Sequence, residues 1–249
     1  MKRLAAFLFV AAAWSDAAMA DSLDTLSQFL QGTRSARADF TQTVQLPPRD
    51  GQAQRPKVSS GQFAFQRPAR FRFDYLRPYP QLLVGDGVTL WVYDPDLSQA
   101  TARVQEKALA STPVALIAAA TDLAALQRDF QLQAQPEQEG LQWVLATPRA
   151  REAGVQSLRV GLRLTDRGVA MERLEIQDAM GQRSLLQFPR IEINPAGMNA
   201  TALRQPRHDH LAGVRAREFL ADESLGLGAT AVIACKVRNS FIHRARSQH

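Results

Sequence analysis

Apolar residues recur at every second position through much of the chain, and this rhythm constrains the fold more than any other feature. Phe63 and Phe65 share one phase, and Phe71, Phe73 and Tyr75 repeat it beyond the Arg67-Pro68 corner, with Arg70, Arg72 and Asp74 between them. A period of two puts alternate side chains on one face of a strand. The pattern returns at Leu141/Trp143/Leu145, Leu158/Val160/Leu162/Leu164, Leu174/Ile176, Leu186/Phe188 and Ile191/Ile193, parted by turn signals at Glu139-Gly140, Asp166-Gly168 and Gly181. Leu82 to Val84 and Leu90 to Tyr93 flank Asp86-Gly87, a dipeptide suited to a tight primed hairpin. So many strands following one another across short turns predict a mainly β fold: one antiparallel sheet, strongly curved or rolled into a barrel.

Two stretches keep helical spacing instead. Leu23, Leu26, Phe29 and Leu30 form one apolar stripe, with Asp21 or Ser22 available as N-cap and Gly32 as the stop. Further on, Ser111 or Thr112 can cap a short helix in which Pro113 suits the first turn and Val114, Leu116, Ile117 and the alanines up to Ala120 are apolar nearly all round. Leu123, Leu126 and Phe130 extend a second short helix. A helix without a polar face must be buried or must cover something.

The strands supply something for it to cover. Phe63, Phe65, Phe71, Phe73, Tyr75, Trp91 and Tyr93 come from neighbouring strands, and the simplest reading of them is core. A curved sheet with so aromatic an inner face needs a filling, however, and only a few short helices are on offer, which suggests an apolar cavity under a helical lid. Arg67 carries two readings as well: an ordinary exposed strand-end arginine, or a guanidinium that donates to carbonyls of the apolar helix and latches the lid.

The N-terminus reads as a secretory leader: Lys2 and Arg3, an apolar run from Leu4 to Ala13, then Ala18-Met19-Ala20 before a cleavage point. That run falls well short of the ~20 residues that span a bilayer. The expected division is a leader over 1–20, one β domain over 21–195, and a basic tail over 196–249 that lacks strand rhythm and is expected to be poorly ordered. The net charge of +6 is concentrated in that tail, which with the leader leaves a near-neutral body and argues against nucleic acid. All histidines (208, 210, 243, 249) and the only cysteine, Cys235, fall in the tail too. The body therefore lacks the commonest general base, metal ligand and thiol nucleophile, and neither an enzyme, a cofactor nor a metal is expected.

Five short motifs then occur in order: Phe40-Thr41-Gln42; Arg67-Pro68-x-x-Phe71 followed by Phe73; Asp86-Gly87-x-x-Leu90-Trp91-x-Tyr93-Asp94-Pro95; Gln99-Ala100-Thr101; and Thr112-Pro113-x-x-Leu116-Ile117. Together they resemble the LolA family of outer-membrane lipoprotein carriers, over roughly residues 21 to 194. The resemblance implies an unclosed, strongly curved antiparallel β-barrel with a helical lid over an apolar cavity, working in the periplasm as a monomer. It implies acylated lipoproteins as cargo, accepted from an inner-membrane lipoprotein-releasing ABC transporter and passed to the outer-membrane receptor LolB. Arg67 matches the arginine that holds the lid shut; Pro113, Leu116 and Ile117 fall on the lid helix. The expected acyl-chain site is Phe40, Phe63, Phe65, Phe71, Phe73, Tyr75, Leu82, Trp91 and Tyr93. The chain departs from the family after Ile191-Glu192-Ile193-Asn194, where a Phe-x-Phe-x-Pro-Pro-like segment is absent and a change of reading frame would account for the switch. The alternative reading is a periplasmic lipid-sensing or lipoprotein-sensing regulatory protein on the same fold.

Overall fold

The structure is a computed structural model that describes residues 15–97, 99–109, 120–150, 154–198, 203 and 215–218. Helix α1 (Ser15–Gly32) opens it and runs straight through the expected leader boundary, so Asp21 and Ser22 lie inside the helix instead of capping it. The upstream stretch explains this, since Ala17, Ala18, Met19 and Ala20 are all strong helix formers. Its apolar stripe is the expected one: Leu26, Phe29 and Leu30 are buried, and the helix stops at Gly32, where Thr33 N–H donates to the Phe29 carbonyl at 3.0 Å.

The chain then enters the sheet in its middle. Strands β1 (Ser35–Gln45), β2 (Lys57–Gln66), β3 (Arg70–Arg77), β4 (Gln81–Asp86), β5 (Thr89–Asp94) and β6 (Gln99–Val104) step outward in sequence as antiparallel neighbours. Helices α2 (Gln105–Leu109) and α3 (Leu123–Asp129) belong to the connection from this edge to the far edge. From there β7 (Phe130–Gln138), β8 (Leu141–Pro148), β9 (Val155–Thr165), β10 (Gly168–Asp178) and β11 (Arg183–Gln187) step back until β11 pairs with the free side of β1. Strand β12 (Ile191–Ile193) also pairs with β1, and β13 (Arg215–Glu218) lies parallel to β6, so the basic tail contributes one short strand.

Twelve strands in a row at ~4.8 Å spacing would hold the edges of a flat sheet roughly 50 Å apart. Yet Leu83 and Leu90 of β4 and β5 share one continuous core with Phe130 of β7 and Val144 of β8, as do Leu26, Phe29 and Leu30 of α1. The sheet must therefore curl around that core. The two end strands of the order, β13 and β7, are not paired, which leaves the barrel unclosed. The connection from β6 to β7 places Ala108, Ala120 and Leu126 in the same core. Asp122 caps α3 by accepting from Ala125 N–H at 2.8 Å.

Candidate functional site: an aromatic face and an arginine clamp

Register builds the inner face row by row. Ala36, Phe65, Phe71 and Gly85 lie side by side across β1 to β4; the next row is Ala38, Phe63, Phe73, Leu83 and Val92, and the third brings Phe40 beside Gly61 and Tyr75. Phe63 stacks on Phe73 with centroids 4.4 Å apart, Phe40 meets Phe73 and Tyr75 edge-on at 5.6 and 5.0 Å, and Phe65 meets Phe29 of α1 at 6.4 Å. Phe188, just past β11, adds a ring 5.4 Å from Phe63. Offset and edge contacts of this kind satisfy the ring quadrupoles and add to the burial term. Every ring of this set is buried. The aromatic face is thus closed on itself and on α1. At its far end the Tyr75 hydroxyl donates to Gln42 Oε1 at 2.9 Å, and burial pushes the Tyr75 phenol well above its ordinary pKa.

Glycine makes two of these contacts possible. A Cβ on Gly85 would stand 2.3 Å from the Phe71 ring, so only glycine lets that ring lie over β4. On Gly61 it would lie 1.9 Å from the Asp74 carbonyl oxygen, at a register shift where β3 crosses close by.

Arg67 sits where β2 ends. Its backbone N–H donates to the Arg34 carbonyl at 2.8 Å, its Nε donates to the Thr33 carbonyl at 2.8 Å, and Nη1 donates to the Ala120 carbonyl. The guanidinium carbon lies 5.4 Å from the Phe29 ring centre and 5.2 Å from that of Phe65, over both faces. Rings supply part of what water would have supplied to the cation. Burial still lowers its pKa to about 10, so the group remains a cation at neutral pH. One side chain therefore ties the α1–β1 joint and the end of the aromatic strands to the β6–β7 connection.

Sequence reasoning missed a second tie. Gln105, buried at the start of α2, accepts from Gly87 N–H at 2.9 Å and donates to the Ala69 carbonyl at 2.6 Å, while its own N–H donates to the Val88 carbonyl at 2.8 Å. It fastens the base of the same connection to the turn that carries Arg67. Nothing in its sequence neighbourhood marks it out from a surface glutamine.

Three residues expected in the acyl-chain site are placed elsewhere. Leu82, Trp91 and Tyr93 pair across β4 and β5 as Leu82–Tyr93 and Val84–Trp91, in register with Asp74 and Arg72, and so lie on the opposite face of the sheet. Strands β4 and β5 are apolar on both faces, so their alternation does not reveal which residues turn inward; Leu83, Leu90 and Val92 do. Trp143 is likewise on the outer face, where Val144 and Ala146 are its inward neighbours. Pro113, Leu116 and Ile117 lie outside the described residues. A cavity of about 430 Å³ opens away from the aromatic rows, between the end of α1 and the β9–β10 hairpin, lined by Gln28, Gln31, Thr33, Arg167, Val169 and Ile193 among others.

An unclosed antiparallel sheet wrapped on an apolar interior, with an arginine tying its β6–β7 connection in place, defines a class of protein that can hold something apolar away from water. The family itself is shown by comparison. Residues 31–201 match the model of the outer membrane lipoprotein carrier protein LolA, and the chain belongs to that family. It is 52% identical over 185 residues to the outer-membrane lipoprotein carrier protein of Albidiferax ferrireducens, covering 74% of this chain and 87% of that one. It is 49% identical over 191 residues to the protein of the same name from Leptothrix cholodnii, covering 77% and 84%. Among solved structures, a LolA superfamily protein from Nitrosomonas europaea aligns with a TM-score of 0.44 at 12% identity, over 75% of this chain and 97% of that one.

Proposed function

We propose that the chain is a periplasmic carrier that shelters the acyl chains of lipoproteins between the inner and outer membranes, with residues 1–20 removed as a leader and residues 21–195 forming the carrier domain. The observation that carries this reading is the Arg67 clamp: one cation, bonded to the Thr33 and Ala120 carbonyls, joins the aromatic strands to the β6–β7 connection. In this reading Arg67 is the lid latch, and the segment with Pro113, Leu116 and Ile117 is the lid. The acyl chains lie against Phe40, Phe63, Phe65, Phe71, Phe73 and Tyr75. The protein works as a monomer, receives cargo from an inner-membrane lipoprotein-releasing ABC transporter and yields it to LolB. The relatives' names support a carrier over a lipid-sensing regulator.

Exposing an acyl chain to water costs about 0.8 kcal/mol per CH₂, so a lipid-modified cargo carries a penalty on the order of tens of kcal/mol. A carrier must offset most of that and still release. An interior whose rings pack on one another when empty supplies the competition: cargo separates rings and opens the latch, and delivery restores both. The chain's part is binding and release, with no bond made or broken.

The test is co-elution of a triacylated lipoprotein with the purified protein after release from spheroplasts, with Arg67→Leu alongside. A soluble one-to-one complex is expected with both, and transfer to the receptor only with Arg67 present. A folded protein that takes up no lipoprotein overturns the carrier reading, and normal delivery by Arg67→Leu overturns the latch.

A further inference from the structure

Asn194, at the end of β12, grips the same two peptide groups as Arg67, from the other side. Asn194 Oδ1 accepts from the N–H groups of Arg34 at 2.8 Å and Ser35 at 3.1 Å, and its Nδ2 donates to the Gly32 carbonyl at 2.8 Å. Its own N–H donates to the Ser35 carbonyl at 2.8 Å. The peptide unit between Thr33 and Arg34 is planar, so its carbonyl and its N–H point in opposite directions. That carbonyl takes Arg67 Nε, and that N–H gives to Asn194. The next unit repeats the arrangement: the Arg34 carbonyl takes the Arg67 N–H, and the Ser35 N–H gives to Asn194. Two successive peptides are thus held between one asparagine and one arginine.

We infer that Asn194 is a positioning residue for the Arg67 latch, and that β12 is thereby coupled to the β6–β7 connection at Ala120. The inference rests on the reading of Arg67 as latch. Asn194 acts by fixing the planes of the two peptides whose carbonyls Arg67 grips, and donors and acceptors on opposite ends of one amide polarise each other. Its own backbone suits this role, with φ at +46°, a left-handed conformation that asparagine adopts more readily than most residues. The geometry also explains how the C-terminal end of the carrier domain reaches a site about 160 positions earlier in the chain.

The experiment pairs Asn194→Gly, which removes the side chain and tolerates the backbone angle, with Asn194→Asp, which keeps both accepted bonds and loses the donor. Each is made with Arg67 intact and with Arg67→Leu. Hydrogen exchange is read across residues 120–126, and affinity is read with a dansyl-labelled fatty acid. Asn194→Gly is expected to raise exchange at 120–126 roughly tenfold, as loss of about one net hydrogen bond would, and to shift fatty-acid affinity in the same direction as Arg67→Leu. Asn194→Asp should stay nearer the parent, and neither change should add to Arg67→Leu. Faster exchange confined to residues 32–35, or effects that add in full to Arg67→Leu, overturn the inference. If exchange couples as described while no variant binds the fatty acid, the positioning role stands and the carrier reading fails.

Discussion

The two halves of the sheet, on either side of β1, share a fold and differ in what holds them. In β8 to β11 the inner face is aliphatic, with Val144, Leu158, Val160, Leu162, Leu174, Ile176 and Leu186 in the core. The outer face there is tied down as well. Trp143 is buried, with the Arg159 guanidinium 4.5 Å above its ring, and Arg159–Glu175, Arg163–Glu172 and Arg173–Glu139 pair across the strands at 2.7, 2.7 and 2.6 Å. In β2 to β5 the inner face is a set of rings, and the outer face has one ion pair among the described residues, Arg72–Asp74 at 2.9 Å, within a single strand. Apart from the Tyr75–Gln42 bond to β1 at its far end, its ties to the rest of the molecule gather at one end, in Arg67 and Gln105. One half is fastened across its whole width, the other at its rim, so the second can yield to a ligand when a few polar contacts open.

Truncating a large buried ring in each half breaks the comparison most directly. Trp143 and Phe63 are 2% and 1% exposed. Trp143→Ala and Phe63→Ala are each expected to destabilise the fold by about 3–5 kcal/mol, the range for large aromatic deletions in a core, measured by urea unfolding. Only Phe63→Ala should also change affinity for an acyl probe in protein that remains folded. Equal effects of the two on affinity would mean that the halves do not divide the roles of scaffold and binding face.

The rim contacts sharpen it further. Gln105→Ala removes its bonds to the Gly87 N–H and the Ala69 carbonyl, a cost of about 1–3 kcal/mol for two net hydrogen bonds. The stability loss should come with faster hydrogen exchange in β5, β6 and α2, and little change in β8 to β10. Exchange that rises evenly over the whole sheet would show the aromatic half to be fastened as broadly as the aliphatic one.

How much of this is legible in the sequence depends on which face of a strand is polar. Where one is, as in β3 with Arg70, Arg72 and Asp74 between Phe71, Phe73 and Tyr75, the alternation reads correctly and the inner rows follow. Where both are apolar, as in β4, β5 and β8, the period survives and its phase does not. The expectation therefore turns Leu82, Trp91 and Tyr93 inward, and only pairing register corrects them. The start of α1 lies upstream of the expected cap because Ala17, Ala18, Met19 and Ala20, just ahead of it, are themselves helix formers. Gln105 and Asn194 act through backbone groups that become neighbours only after folding, and a side chain bonded to distant amides leaves no periodic trace.

The outer ion pairs of β8 to β10 give the smallest expected effect and the finest distinction. Arg159 and Glu175 face each other across β9 and β10 and remain about a third exposed. Their coupling in a double-mutant cycle should be about 0.5–1 kcal/mol, as for other partly solvated pairs, and should weaken with salt. Arg159 also roofs Trp143, so Arg159→Leu should cost less than Arg159→Ala: the stem that covers the ring stays while the charge goes. If the two substitutions cost the same, the guanidinium is there for Glu175 alone. The tight outer face would then owe its stability to Trp143 packed against Gly161, where a Cβ would stand 3.0 Å from the ring.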